Sequence, residues 1–429
     1  MNNARKIILS SWIYTKLVGH WNKDGLKKYF ENTGWAILSR AISIIISFFI
    51  TVYLVRYLGP ENYGQLSYAI SFVALFSIFA SFGVDNILHR DIIKYPEKRG
   101  EYLGTAFVLK LLTGIFATIL TVLSAITLTD SDVSKLVIFL LSGTFILQAF
   151  NVINTEFQAD VKLKYTSIIS LITVVILSLL KIMVIIFSKG IIYLGGIMLL
   201  EAIINASLLI YIHFYVYGNI KTWFFTKHTA YILMTESWPF IFIAFFASVY
   251  TRIDQVMLKH LVNTSSVGLY DAAVRLGEIW GFIPSLIVAS MFTAIINAKK
   301  INNTEYRKRL LHLSFVVTVV STIIATFIAI FSKNIVNFIY GVDFEASAEI
   351  LSIYVFSTIF LIIGSIVQQY LTIENKRMTI FFLTLGTALL NISLNFILIP
   401  IYGIIGAAWA TLISYIVLCY PYFQILRIK

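Results

Sequence analysis

The stretch AISIIISFFITVYLVRYL, residues 41–58, decides the fold class of this chain. Extended back to residue 34, it forms a run of 25 residues in which Arg40 and Arg56 are the only charged side chains. About 20 mostly apolar residues in a helix cross the ~30 Å hydrocarbon core of a bilayer. The run therefore predicts a transmembrane helix, and Gly59-Pro60 predicts the turn that ends it.

The rest of the chain repeats this pattern. Its 429 residues are 59% hydrophobic and 13% charged, and its mean hydropathy is +0.87, which is far more apolar than a soluble domain. The sequence lacks the alternation typical of transmembrane strands, so the spans are predicted to be helices. We predict an all-α integral membrane protein with about twelve transmembrane helices, at residues 34–58, 65–88, 101–128, 134–155, 165–188, 191–216, 231–258, 266–296, 309–331, 346–371, 377–399 and 402–425.

The basic residues are distributed unevenly between the two sides of these spans. With nearby helix ends included, the N-terminal segment, the even-numbered loops and the C-terminal tail hold 23 of the 33 Lys and Arg residues, whereas the odd-numbered loops hold 5. Because cationic loops are retained in the cytoplasm, both termini are predicted to be cytoplasmic. The same distribution accounts for the net charge of +12, so no nucleic-acid binding is predicted. Residues 1–33 are predicted to form a cytoplasmic or interfacial segment, in which 5–21 fit either a helix in the headgroup layer or a disordered leader.

Two turns that lie six spans apart have related sequences. Residues 63–69 read YGQLSYA after the first span, and residues 267–273 read VGLYDAA after the seventh, at an offset of 204 residues. Parallel repeats of this kind are related by an axis along the membrane normal. We therefore predict two six-helix bundles, residues 34–216 and 231–429, around a central cavity and joined by a cytoplasmic linker at 217–230.

The first of these turns carries a longer motif. The residues Arg56, Leu58, Gly59, Pro60, Tyr63 and Gly64 are spaced as R-x-L-G-P-x-x-Y-G. This motif resembles the turn after the first span of Wzx-type polysaccharide repeat-unit flippases, members of the multidrug/oligosaccharidyl-lipid/polysaccharide exporter superfamily. The resemblance covers most of the chain, and further matches are Gly83, Asp85, Arg90, Arg252, Asp254, Gly268, Tyr270, Ala273, Arg275 and Pro284.

The motif residues Gly59, Pro60, Tyr63 and Gly64 have a structural interpretation as well. Pro fits the first turn of a helix because its missing amide would be unpaired there, so Gly59-Pro60 favours a tight turn that restarts a helix. Packing alone is therefore one explanation of the motif.

The resemblance implies a fold like that of the multidrug (MATE) exporters and a carrier that makes no covalent bond, so the chain is predicted not to be an enzyme. The implied substrate is an undecaprenyl-diphosphate-linked oligosaccharide, moved from the cytoplasmic to the periplasmic leaflet of the bacterial inner membrane for O-antigen or surface polysaccharide synthesis. A polysaccharide polymerase and a chain-length regulator are the implied candidate partners. The sugars of the repeat unit are not specified by these residues.

Five basic residues lie inside the predicted spans and are not counted with the loops and helix ends, and an ionised side chain there costs at least ~2.5 kcal/mol unless it faces water or a partner. Lys110 and Arg275 are predicted to lie near the midplane, whereas Arg40, Lys181 and Arg252 lie within two turns of a span end and can also snorkel. We predict all five as cavity residues that attract the diphosphate, because cationic side chains, Arg above all, bind phosphate oxygens well.

Of the acidic residues within the predicted spans, four are candidates for ion coupling: Glu201, Asp254, Asp271 and Glu278. The spacing of Asp271, Arg275 and Glu278 is i, i+4, i+7, so pairing within one helix is one explanation of their presence. The other is that a buried carboxylate binds a coupling H⁺ or Na⁺. No further cofactor and no metal site are predicted from six scattered histidines and the one cysteine, Cys419.

An ion-coupled drug exporter and a membrane polysaccharide polymerase or ligase are the alternatives from other classes. The same bundle serves different substrates, and an exporter would favour an acid-rich cavity without a basic set. A polymerase or ligase would need a sizeable loop outside the membrane, whereas the longest predicted outward loop is 332–345. The sequence also shows no catalytic constellation of side chains.

Overall fold

The computed structural model describes residues 23–218 and 222–426. Within these ranges the chain forms helices and turns and no strands, so the predicted all-α class is confirmed. Helices are the expected solution because an amide in hydrocarbon has to find its hydrogen-bond partner within its own segment. The predicted interfacial helix at 5–21 lies outside the described residues.

The described chain contains fifteen α-helices and three short 3₁₀ helices, the latter at Pro96–Lys98, Gln148–Phe150 and Val342–Phe344. The α-helices are α1 (Lys23–Ser81), α2 (Asp85–Lys94), α3 (Arg99–Leu128), α4 (Asp132–Ser142), α5 (Thr144–Leu147), α6 (Asn151–Ala159), α7 (Leu163–Ile186), α8 (Ile191–Tyr217), α9 (Lys227–Leu261), α10 (Thr264–Ile301), α11 (Asn303–Ile330), α12 (Ser332–Ile339), α13 (Ser347–Ile373), α14 (Arg377–Leu418) and α15 (Tyr422–Leu426).

Ten helical segments of the described chain are long and apolar enough to cross a membrane, and two of them are broken by a glycine. With 59 residues, α1 as a straight helix would be about 90 Å long, three times the thickness of a bilayer core. It is interrupted at Gly59, where φ is +66°, and α14 is interrupted at Gly403, where φ is +58°. Glycine adopts this left-handed conformation without steric cost. Both breaks fall at predicted turns, and the count of twelve spans stays a prediction.

The contacts of residues 60–81 show how the chain continues after the Gly59 break. The Tyr68 hydroxyl lies 3.0 Å from Thr129 Oγ1, just beyond the end of α3. Further along, the Thr113 hydroxyl in the middle of α3 donates to the Ala80 carbonyl at 3.3 Å. Residues 60–81 therefore run antiparallel to α3.

The two ends of the bundle are named here by their sequence features. The end that carries Gly59 is called the turn end. The opposite end carries the Lys- and Arg-rich loops at 89–100 and 297–309 and is called the basic end. The residues before the 217–230 linker are called the first half, and those after it the second half.

The outward face of α3 shows how the bundle meets its surroundings. Leu112, Phe116, Ile119 and Leu123 recur on one face of the helix and are each more than half exposed, whereas Lys110 on the inward side is buried. Such a face is stable in hydrocarbon and unfavourable in water, where apolar surface is normally buried. The chain is therefore a multi-pass membrane protein, as predicted.

Three predicted boundaries differ from the structure. The predicted second span, 65–88, ends earlier because the helix stops at Ser81 and Gly83 adopts a positive φ of +61°. The predicted outward loop at 332–345 contains α12 and a 3₁₀ helix. Residues 23–33, which the sequence placed in the N-terminal segment, already belong to α1.

At the basic end, ion pairs join the helices of the first half. Arg99 at the start of α3 donates Nε to Glu156 of α6 at 2.8 Å and Nη1 to Asp160 at 2.9 Å. Burial by itself raises the pKa of Asp160, but hydrogen bonds from Arg99 and Tyr217 outweigh it and hold that pKa below its ordinary value. These charges therefore stabilise the packing of α3, α6 and α8.

The two related turns lie against each other at the turn end. A Cβ atom added to Gly64 would lie 2.0 Å from the Thr264 carbonyl oxygen, and one added to Gly268 would lie 2.1 Å from the Pro60 carbonyl oxygen. Pro60 and Thr264, like Gly64 and Gly268, are separated by the 204 residues of the sequence repeat. The contact is therefore reciprocal, and it requires glycine on both sides. The predicted boundaries of the two bundles stay a prediction.

Replacing Gly64 by alanine should force these backbones apart and destabilise the protein. We expect the variant G64A to lower the melting temperature of the purified protein by at least about 3 °C. The control is G196A, a helical glycine whose added Cβ meets no atom within 4 Å. Thermal unfolding followed by intrinsic fluorescence measures both, and equal melting temperatures would contradict the contact.

Candidate functional site

A cavity of about 800 Å³ lies alongside α1, bordered by α6, α7, α8 and α10. Ser39, Arg40 and Gln158 line it near the basic end, and it reaches Thr51 and Tyr340 toward the turn end. Ligand sites in proteins commonly measure about 300–1,000 Å³. The cavity is therefore large enough to hold an extended ligand, and it lies in contact with both halves of the chain.

The first half of the chain lines this cavity mainly with uncharged polar side chains. We call this surface the polar wall, and it consists of Ser39, Ser43, Ser47, Thr51, Asn151, Asn154, Gln158, Thr166, Ser167, Ser170 and Asn205. Sequence reasoning missed it as a site. The available signal was the i, i+4 spacing of the four α1 hydroxyls within an otherwise apolar span.

The second half contributes charge and apolar surface to the cavity, through Arg275, Glu278, Ile279 and Phe282 of α10 and through Tyr340. Arg275 donates Nε to Asp271 at 2.8 Å, one turn earlier on the same helix. The sequence predicted this pair from its spacing, and the structure confirms the pairing. Asp271 itself is buried, so Arg275 is the member of the pair that faces the cavity.

Asp271 connects the two halves. Its carboxylate accepts hydrogen bonds from Tyr63 at 2.5 Å and Ser67 at 2.8 Å, both in the first half, and from Gln255 of α9 at 3.2 Å. Gln255 in turn accepts a hydrogen bond from Ser71 of the first half at 2.9 Å. A buried carboxylate is stable only when it is hydrogen-bonded and paired with a cation. These bonds therefore hold the halves together near the turn end.

Arg252 and Glu278 form a second, looser ion pair, with Arg252 Nη2 3.6 Å from Glu278 Oε1. Arg252 Nη1 also lies 4.0 Å from Asp271. Glu278 lines the cavity, whereas Arg252 is not among the lining residues. Of the three residues that the sequence places on one stripe, Asp271 and Arg275 thus pair with each other, whereas Glu278 pairs with Arg252.

The predicted basic residues occupy different environments. Arg40 is exposed in the cavity together with Arg275. Lys110 is buried away from it and donates Nζ to Asp85 at 2.5 Å. Lys181 is half-buried on α7 and does not line the cavity either. The structure therefore brings Arg40 and Arg275 to one cavity, and a substrate contact of any of the five stays a prediction.

Glu201 lies in a second cavity of about 400 Å³ within the first half. This cavity shares Asn151, Asn205 and Leu209 with the larger one, so the two are neighbours. Glu201 is half-buried on α8. Its ion-coupling role stays a prediction.

Asp254 lies in a separate polar cluster between α9, α10 and α14. Its carboxylate accepts hydrogen bonds from Tyr270 at 2.6 Å, Thr411 at 2.6 Å and Asn395 at 2.7 Å. Asn395 also donates to Asn391 at 3.1 Å, and its own buried Oδ1 finds no hydrogen-bond partner among the described residues. The cluster therefore gathers carboxylate, hydroxyl and amide oxygens in one buried place.

The turn motif makes contacts between the halves. Arg56 donates Nε to the Ile339 carbonyl at 2.6 Å and Nη2 to the Phe338 carbonyl, at the C-terminus of α12. A cation is favourable at a helix C-terminus, where carbonyl groups lack partners. The Tyr63 and Phe344 rings pack edge to face with centroids 6.3 Å apart. The motif thus joins the halves at the turn end, whereas the cavity extends to the basic end.

Comparison with known proteins agrees with this architecture. The chain matches the family model described as polysaccharide biosynthesis protein over residues 29–299. It is 27% identical over 173 residues to "Probable flippase AglR" of Haloferax volcanii, covering 38% of this chain and 35% of that protein. The aligned region thus spans about a third of the length of the curated flippases that it matches first.

Two solved structures have the same fold. An inward-facing multidrug resistance MATE family transporter of the MOP superfamily gives a TM-score of 0.76 at 13% identity, covering 92% of this chain and 99% of that one. The lipid II flippase MurJ in an inward closed conformation gives 0.75 at 16% identity, covering 91% and 87%. The predicted likeness to multidrug exporters is confirmed at the level of the fold. Because the family model covers more than half of the sequence, the chain belongs to the polysaccharide biosynthesis protein family and has the fold of MOP superfamily transporters.

Proposed function

We propose that this protein is a flippase that moves a lipid-linked oligosaccharide from one leaflet of the membrane to the other. The supporting observation is the cavity itself, which combines two arginines with the polar wall inside a bundle whose outer surface is apolar. A phosphate-linked glycan needs such a polar path, because its sugars and phosphates cannot enter hydrocarbon unaided. The family description, polysaccharide biosynthesis protein, and the name of the relative, probable flippase, agree with this proposal.

The substrate that fits best is an undecaprenyl-diphosphate-linked oligosaccharide repeat unit for O-antigen or surface polysaccharide synthesis. In this proposal Arg40 and Arg275 bind the diphosphate oxygens, since guanidinium groups match phosphate geometry. Lys110 and Arg252 are paired with Asp85 and Glu278 and support the bundle. No covalent bond forms or breaks during transport.

The proposed direction follows from the basic loops. In this proposal the membrane is a bacterial inner membrane, and the basic end and both termini lie in the cytoplasm, because cationic loops are retained on that side. The cavity then receives its substrate from the cytoplasmic leaflet, while the contacts at the turn end close the periplasmic side. A polysaccharide polymerase and a chain-length regulator are the proposed partners that use the product.

The drug-exporter alternative fits the cavity less well. Glu278 is the one acidic residue among the described lining residues, against two arginines and the uncharged polar wall. A cavity for cationic drugs would favour the opposite balance. The leaflet in which lipid-linked repeat units accumulate distinguishes a flippase from a polymerase, because a polymerase acts on repeat units that have already crossed the membrane.

Removing the Arg275 guanidinium should impair transport. In cells that lack the native gene, we expect R275A to release complete lipid-linked repeat units from the cytoplasmic leaflet at least about tenfold more slowly than wild type, because a charge-assisted hydrogen bond is worth about 1.5–3 kcal/mol. The measurement is the leaflet sidedness of the lipid-linked oligosaccharide together with the amount of inserted protein.

Two further variants make this test specific. R309A removes an arginine with the same i, i+4 pairing at 2.8 Å, to Glu305, but outside the cavity lining, and should transport normally. R40A removes a cavity arginine that forms no ion pair with a described acid, so its loss should lower transport without disturbing the fold. Normal transport by both R275A and R40A would contradict the diphosphate site.

Ion coupling is the second part of the proposal, with Asp254 as the coupling residue. Asp254 is buried, and the adjacent Asn395 Oδ1 lacks a partner among the described residues, as expected of a place that binds a proton or Na⁺. Glu201, Asp271 and Glu278 are the other proposed candidates. Asp271 already has an arginine and three further donors, and Glu278 has Arg252, which leaves them less suited to a cation.

Replacing Asp254 by asparagine should uncouple transport from the gradient. In proteoliposomes, an imposed H⁺ or Na⁺ gradient should accelerate wild type, whereas D254N should transport at one rate with or without the gradient. The control is D132N, which removes a carboxylate that is almost fully exposed. Undiminished stimulation of D254N would exclude Asp254, and a wild-type rate indifferent to both gradients would exclude ion coupling.

A further inference from the structure

The polar wall differs from the other hydroxyl groups of the bundle. Many serines and threonines on these helices donate back to a carbonyl of their own helix, as Thr121 does to Ala117 at 2.7 Å and Ser314 to Leu310 at 2.8 Å. This back-bonding satisfies a hydroxyl in an apolar environment. Within the part of the chain that the structure describes, nine of the eleven side chains in the polar wall make no side-chain hydrogen bond, Ser39 and Thr166 being the exceptions.

The amides of the wall strengthen this observation. Asn151, Asn154, Gln158 and Asn205 come from α6 and α8 and face the same cavity. Each amide offers two N–H donors and an accepting oxygen, and none of these groups is used by another described residue. On α1, Ser47 lines the same cavity, is exposed and makes no side-chain hydrogen bond with a described residue. Donors and acceptors thus remain available on two sides of one cavity.

The geometry fits a chain of sugars. The amides of Asn151, Asn154 and Gln158 follow one another along α6 over about 10 Å, and further hydroxyls from α1 and α7 line the same cavity. Sugars present hydroxyl and amide groups that both donate and accept hydrogen bonds. A surface of mixed donors and acceptors over this length suits several consecutive sugars better than one.

The charges of the cavity limit which sugars fit. The two arginines balance an anionic diphosphate, and Arg275 already pairs with Asp271. Glu278 is the remaining ionic group in the described lining, and it is negative. A carboxylate on a sugar would therefore lose its hydration without gaining a cation, which is costly in a low-dielectric site.

We infer that the polar wall binds the oligosaccharide and that it selects glycans whose sugars are uncharged. This inference rests on the proposed flippase function and adds the substrate class to it. The arginines bind the diphosphate that every lipid-linked glycan shares, and the wall distinguishes one glycan from another. The wall is thus a specificity-determining surface contributed by the first half of the chain.

Binding of three probes to the purified full-length protein tests this inference. The probes are farnesyl diphosphate alone, farnesyl diphosphate carrying a neutral trisaccharide, and the same trisaccharide with one hexose oxidised to a uronic acid. We expect the neutral trisaccharide to raise affinity over the bare diphosphate by at least about tenfold, since several hydrogen bonds of about 1 kcal/mol each are gained. The uronic acid should remove most of that gain.

Variants test whether the polar wall is responsible for the gain in affinity. The triple variant S47A/S167A/S170A should bind the neutral glycan no more tightly than the bare diphosphate, while its affinity for the bare diphosphate stays unchanged. The control S290A/S352A/S393A removes three hydroxyls that donate to carbonyls of their own helices and should bind like wild type. The variant N154K, which adds a cation to the wall, should shift the preference toward the uronic acid.

The outcomes distinguish a failure of the polar-wall inference from a failure of the flippase proposal. Equal or tighter binding of the uronic acid by wild type, or full affinity of the triple variant for the neutral glycan, would overturn the inference and leave the flippase proposal intact. If wild type binds none of the three probes, the lipid-linked substrate itself is wrong and the inference falls with it.

Discussion

Asp271 is the residue on which the arrangement of the two halves depends. A carboxylate buried in a membrane protein must be compensated on all sides, because neither water nor lipid can solvate it. Asp271 meets this condition by accepting bonds from Tyr63 and Ser67 of the first half and from Gln255 and Arg275 of the second. Separating the halves at the turn end would take two donors from it, at a cost of about 1–3 kcal/mol each. The contact therefore stabilises the association of the two halves at the turn end.

The same carboxylate also determines where Arg275 lies. Because Asp271 is fixed by donors from both halves, the guanidinium one turn later is held at the cavity. The close approach of Gly64 and Gly268 and the capping of α12 by Arg56 act at the same end. The contacts at the turn end and the charge of the cavity thus share one hydrogen-bond network, and this connects the turn motif with the proposed transport function.

Local features of this architecture could be predicted from the sequence, because they depend on neighbouring residues. The apolar run at 34–58, the turn at Gly59 and the pair of Asp271 with Arg275 follow from length, backbone conformation and i, i+4 spacing. The partners of Asp271 in the first half could not be predicted, since Tyr63 lies 208 residues away.

The other ion pairs and the cavity could not be predicted from the sequence either, because they depend on how distant helices pack. Lys110 was expected to face a cavity but pairs with Asp85, because a short turn brings α2 to α3. The polar wall left a signal in the spacing of its serines, but such spacing equally fits hydrogen bonds between helices. Only the arrangement of α1, α6, α7 and α8 around one cavity shows that these hydroxyls face it.

The central claim is that this chain carries a lipid-linked oligosaccharide across a bilayer. The most direct measurement uses proteoliposomes that contain the purified protein and a labelled lipid-linked trisaccharide in both leaflets, with a membrane-impermeant glycosidase added outside. The inner-leaflet fraction should become digestible over time in the presence of the protein and stay protected in liposomes without it. Continued protection of the inner leaflet in the presence of folded protein, with and without an ion gradient, would mean that the protein is not a flippase for this substrate.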